Sequence, residues 1–91
     1  MQYNDTKTLQ LSRNLGHLIK KIRKNQTHMS LDGLANAYDI NKGTLSLIEN
    51  GIYNCKFVTL WKLSEALGIK CSDLVRELEK GLGEDFTLLD E

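Results

Sequence analysis

Lys42, Gly43, Thr44, Ser46 and Leu47 lie within the stretch NKGTLSLIENG (41–51), and their types and spacing suit one kind of chemistry. At about 100° per residue in a helix, Gly43, Ser46, Leu47 and Asn50 fall opposite Leu45 and Ile48, which are three apart and share a buried face. Lys42 and Thr44 sit on the flanks. The outward side is small, polar or apolar, and carries no acid. Such a face can approach the floor of a nucleic-acid groove, because Gly43 adds no bulk and no carboxylate repels phosphate. Leu47 can meet a thymine methyl, Ser46 and Thr44 a base edge, and Lys42 a guanine or a phosphate.

A short helix of this kind has to be held by others, and the apolar spacing supplies them. Leu11, Leu15, Leu18, Ile19 and Ile22 form the stripe of an amphipathic helix over about 7 to 24. The segment NQTHM breaks that pattern. Ser30 can cap a second helix, about 31 to 38, with Leu34 and Ala35 facing inward. Asp39 ends it, since Asp tolerates left-handed backbone better than most residues. The third helix, 42–50, starts at the Asn41 cap and stops at Asn50-Gly51. A fourth is expected over about 57 to 67 with Phe57, Leu60, Leu63, Ser64 and Leu67 inward, and a fifth over about 72 to 80 with Ser72 and Asp73 at its start. No segment sustains strand alternation, so the expected fold class is all-α, a compact bundle of five helices. Helices two and three, joined by a three-residue turn, make an αα-corner. Its DNA-binding form places the second helix in the major groove.

Bulk properties narrow the function classes. Ninety-one residues suffice for one small domain; we read 1–80 as that domain, with the corner at 30–51, and 81–91 as an acidic tail. The apolar fraction of 41% and charged fraction of 26% are ordinary for a globular chain. No run is long enough for a membrane span, and the start, MQYNDTKTLQLS, lacks a secretory signal, so a cytoplasmic place is expected. His17, His28, Cys55 and Cys71 are scattered singly, which argues against metal; the cysteines are expected as free thiols. No cofactor motif, nucleophile elbow or phosphate-binding glycine loop occurs, so no enzyme is expected. The net charge of zero hides a division. Residues 13–76 hold ten basic and five acidic side chains, whereas 77–91 hold one lysine and six acids. A basic body points to an anionic partner. Lys20, Lys21, Arg23 and Lys24 fit either a phosphate-facing patch or a solvated helix face. Trp61 and Tyr53 are expected to cover the edge of the core, and the tail to be disordered unless Phe86, Leu88 and Leu89 pack on a partner.

SLDGLANAYDINKGTLSLIENG, followed by FVTLWKLSEALGIKCSDLV, resembles the helix-turn-helix family of phage Cro and lambda-type repressors, also called the xenobiotic-response-element family. The resemblance runs from about residue 15 to 75. It implies a five-helix, lambda-repressor-like DNA-binding domain that works as a homodimer on a palindromic site of double-stranded DNA and regulates, usually represses, transcription. Carried over, Lys42, Gly43, Thr44, Ser46 and Leu47 read bases, while Asn41 and Asn50 match positions that touch the phosphate backbone. Lys56, before the fourth helix, can do likewise. The resemblance also implies a brace between Arg23 and Glu49. Leu31 stands where the family usually has Gln, Asp39 where it has the turn Gly, Cys55 where it often has Pro, and Lys56 where it has a Ser cap. NQTHM is about one residue longer than usual. The family includes prophage repressors, restriction-modification controllers and regulators of conjugative elements. The other class to weigh is a protein-interaction module, such as an antitoxin or anti-repressor, binding through Leu31, Leu47 or the acidic tail.

Overall fold

Residues 6–89 are described by the computed structural model of the chain. Five α-helices follow one another: α1 (Thr6–Ile22), α2 (Leu31–Ala37), α3 (Lys42–Glu49), α4 (Phe57–Leu67) and α5 (Cys71–Leu82). No strand occurs among the described residues. The core is where their apolar stripes meet. Ile19, Ile22, Leu34, Leu45, Ile48, Leu63, Leu67 and Leu74 are buried there, drawn from all five helices.

Helix ends follow from local chemistry. Ser30 Oγ accepts the Gly33 amide at 3.0 Å, and Asn41 Oδ1 accepts the Thr44 amide at 2.9 Å, so each of these short helices has one otherwise orphaned donor satisfied. Asp39, at φ 55°, turns the chain left-handed after α2. The Ile40 amide then returns to the Ala35 carbonyl at 2.8 Å.

The expected break at NQTHM falls later than the pattern suggests. After Ile22 the chain continues through a π-helical turn, Arg23–Thr27, closed by the His28 amide on the Arg23 carbonyl at 3.1 Å. A π turn holds one more residue than an α turn, so the extra residue of this segment is taken up inside the helix. His28, at φ 58°, supplies the reversal. Thr27 fixes it: its hydroxyl donates to the Arg23 carbonyl at 2.6 Å and accepts the Met29 amide at 3.0 Å.

Three further expectations are corrected. Phe57 is not in the core stripe but 67% exposed; as the first residue of α4 it lies beyond the packed turns, and its ring meets Trp61 edge-on at 6.0 Å. Trp61 itself is half exposed, whereas Tyr53 does pack against the core. The fifth helix starts at Cys71 and runs through Gly81 to Leu82, and no side chain caps its start. Ser72 is inside the first turn.

One close approach sets how α1 lies on the corner. A Cβ added at Gly16 would press into the Ile48 carbonyl oxygen and sit 2.7 Å from that of Glu49. Gly51, at φ 72°, has Arg13 Cα where its own Cβ would be, at 2.8 Å. The backbone of α1 therefore rests directly on the C-terminal end of α3, with no side chain between.

Gly16→Ala should consequently destabilise the chain by about 1–3 kcal/mol, the cost of forcing atoms into packed space. Gly81→Ala meets nothing within 4 Å and should be neutral or stabilising by up to about 1 kcal/mol through helix propensity. Denaturant midpoints of the two variants measure the contrast.

Candidate nucleic-acid interface

The outward face of α3 depends on a charged pair beneath it. Arg23 begins the π turn and is 5% exposed; Glu49 ends α3 and is 7% exposed. Arg23 Nε donates to Glu49 Oε2 at 2.7 Å and Nη2 to Oε1 at 2.9 Å, a planar two-point contact. The third arm, Nη1, donates to the Met29 carbonyl at 3.0 Å. The Glu49 hydrogen bond pushes the Arg23 pKa up; burial opposes it, and the Glu49 charge adds to the rise. The structure thus ties the end of α1, the segment entering α2 and the end of α3 to one guanidinium. No buried side-chain nitrogen or oxygen lacks a partner among the described residues.

Above that brace, α3 turns Leu45, Ile48 and Glu49 inward and leaves Lys42, Gly43 and Leu47 exposed, with Thr44 and Ser46 half-buried at the sides. Leu47 is 42% exposed. Gly43 has two reasons to be glycine: it keeps the face flat, and a Cβ there would lie 3.2 Å from the Asn41 cap oxygen. Asn41 and Asn50 bracket the helix. The Asn50 side-chain amide donates to the Ser46 carbonyl at 2.9 Å and lies 3.5 Å from Ser46 Oγ. Lys56 is exposed at the N-cap position of α4 and gives no side-chain cap.

Some groups at this surface are not evident from the stretch itself. Asp32, in the first turn of α2, places Oδ2 3.2 Å from Lys42 Nζ. The acid-free description therefore holds for the outward face of α3 alone, not for its surroundings. Lys62 of α4 donates to the Asp39 carbonyl at 2.9 Å, tying α4 to the turn of the corner. Arg13, Asn14, His17 and Lys20 line an open groove that ends at Glu49 and Asn50. Asp32 and Lys62 leave no trace in the sequence pattern, since each meets a partner on another element. Leu31 packs partly against the core.

Elsewhere the structure offers little chemistry. Cys55 and Cys71 are free and half-buried, and no metal-binding cluster occurs among the described residues. Burial, with a smaller contribution from Cys71, pushes the Cys55 thiol up to about 11. No helix among the described residues is long and apolar enough to cross a membrane. Residues 83–89 of the tail form short turns, with Phe86 half-buried beside Arg76 and Lys80 while Leu88 and Leu89 are exposed. Residues 90–91 of the tail and 1–5 at the start lie outside the described residues.

The helix-turn-helix family profile matches residues 19–74 of the chain. Control protein C.MunI of a Mycoplasma species is 40% identical over 65 residues, covering 71% of this chain and 88% of that protein. Control protein C.BamHI of Bacillus amyloliquefaciens is 33% identical over 60 residues, covering 66% and 74%.

Two outcomes follow from the geometry. Glu49→Gln, which leaves the Arg23 charge buried without its counter-ion, should cost about 3–5 kcal/mol. Replacing both partners by apolar residues of similar size should recover much of that loss, as urea denaturation would show. The Cys55 thiol is held neutral in the fold, so above pH 9 the unfolded chain gives up its proton first. The stability this protonated thiol contributes is complete below pH 9 and drains away between about 9 and 11. Cys55→Ala should remove that part of the alkaline decline, and alkylation of Cys55 should accelerate only across the same window.

Proposed function

The chain belongs to the helix-turn-helix family of Cro and lambda-type repressors and is a DNA-binding transcriptional regulator; we propose that it acts as a homodimeric repressor that lays α3 in the major groove. One observation carries the proposal. The outward face of α3 exposes Lys42, Gly43 and Leu47 and carries no acid of its own, on a helix whose opposite side is buried and braced. Thr44 and Ser46 supply hydroxyls for base edges, and Asn41, Asn50 and Lys56 face the backbone on either side. The names of both relatives, control proteins, favour a controller of gene expression over an interaction module. The partial burial of Leu31 weakens the antitoxin or anti-repressor reading further.

A homodimer needs a surface, and α4 offers one. Phe57, Val58 and Trp61 share an outward stripe at 67%, 78% and 52% exposure, with Ile52 at 70% in the loop leading to it. Exposed apolar groups so grouped mark contact sites. A two-fold axis through this stripe would pair it with its own copy. Two α3 helices about 34 Å apart would then meet successive major grooves of a near-palindrome.

Selection from random duplex DNA should enrich a two-fold motif with half-sites about one helical turn apart. Leu47→Ala and Lys42→Ala should each relax the preference at one position of each half-site by about 1–3 kcal/mol. Affinity should fall steeply with salt. Val58→Glu should give a monomer by sedimentation and weaken binding to the full site far more than to a half-site. No enriched motif at low salt would overturn the proposal.

A further inference from the structure

We infer that Asp32 is a specificity-determining residue of this surface: it keeps Lys42 from the phosphates and aims it at a guanine edge in the major groove. The inference rests on the DNA-reading role proposed for α3 and deepens it.

The two side chains come from the first turns of consecutive helices, Asp32 in α2 and Lys42 in α3, and meet at 3.2 Å. Their positions are unequal in helix terms. An acid near a helix N-terminus is favoured by the backbone dipole, and a lysine there is not. Lys42 therefore gains nothing for its own helix by its place. With Asp32 beside it, the adverse end charge is offset and the ammonium is held over the start of α3.

Both groups are largely exposed, at 67% and 60% of their side chains. Such a pair adds little to stability, so a role in recognition accounts for it better than a role in folding. Lys42 has two possible targets on DNA. On a phosphate the ammonium would hold the Asp32 carboxylate beside a second full negative charge, a repulsion that the neutral acceptors of guanine do not impose. In reaching a guanine it can keep the carboxylate, because an ammonium has three N–H donors: one stays on Asp32 Oδ2, and two serve guanine O6 and N7. The acid thus penalises the sequence-blind contact and permits the sequence-reading one. Leu31, turned partly into the core, leaves no amide side chain at the start of α2 to compete for the same ammonium.

The test is selection from random duplex DNA and affinity against salt for the wild type, Asp32→Asn, Asp32→Glu and Lys42→Gln, with thermal melts of each. Lys42→Gln identifies the base position that Lys42 reads. At that position Asp32→Asn should lose roughly tenfold of the guanine preference. Its plot of log affinity against log salt should steepen by about one, as the released lysine takes a phosphate. Asp32→Glu should retain the preference, and the melts should coincide within a few degrees. A wild-type motif that Asp32→Asn leaves unchanged in base preference and in salt slope overturns this inference alone. A wild type that enriches no motif overturns the DNA-reading role, and this inference with it.

Discussion

The guanidinium of Arg23 is the constraint on which the rest of the structure depends. An isolated helix of eight residues is too short to persist in water, and α3 is eight residues long. Leu45 and Ile48 bury one side of it, yet burial alone leaves a small helix free to roll or slide. Arg23 removes that freedom by binding both oxygens of Glu49 at the end of α3 and the Met29 carbonyl just before α2. The two-point contact fixes an orientation as well as a distance. A buried ion pair is a poor means of gaining net stability, because both charges must first be desolvated. Its contribution here is to admit one arrangement of three chain segments and penalise the others, which is what a rigid reading face requires.

The placement of Arg23 depends in turn on two features of α1 that have no side chain to advertise them. The missing Cβ of Gly16 lets α1 settle onto the Ile48 and Glu49 carbonyls, bringing its far end to Glu49. The π turn then takes up one residue that would otherwise lengthen the loop, and it begins at Arg23 itself. Because the Arg23 carbonyl receives both the His28 amide and the Thr27 hydroxyl, the same residue organises the turn with its backbone and the brace with its side chain. Lengthening the segment by one residue need not displace the brace, since the surplus lies after it.

Most of the fold was legible because its signals are local. The stripe of α1, the Ser30 and Asn41 caps, the left-handed Asp39 and the glycines after α3 and α4 all act within a few residues of themselves. Which residues α3 turns outward was legible for the same reason, since helical geometry alone decides which side faces away from Leu45 and Ile48. What failed was whatever required knowing how far a neighbour extends. Phe57 carries the periodicity of a core residue, but no other helix reaches past the start of α4 to cover it. Asp32 and Lys42 are ten positions apart, on separate helices, and neither stripe announces the pair. The π turn was hidden because one extra residue in a polar segment reads as loop length.

The hydrogen bonds already made inside the protein limit what each position of the face has left for DNA. Asn41 uses its side-chain oxygen as the cap for Thr44, which directs its amide hydrogens outward, the polarity a phosphate needs. Asn50 commits one amide hydrogen to the Ser46 carbonyl and keeps the second. Asn50 Nδ2 also lies 3.5 Å from Ser46 Oγ, which leaves the hydroxyl hydrogen of Ser46 uncommitted by that contact. Leu47, exposed and apolar, has only shape and van der Waals contact to offer. Donors thus predominate around a central apolar contact. Major-groove edges are rich in acceptors on guanine, adenine and thymine, and thymine alone adds a methyl, so donors set around an apolar contact are the chemistry that the major-groove role proposed for α3 calls for.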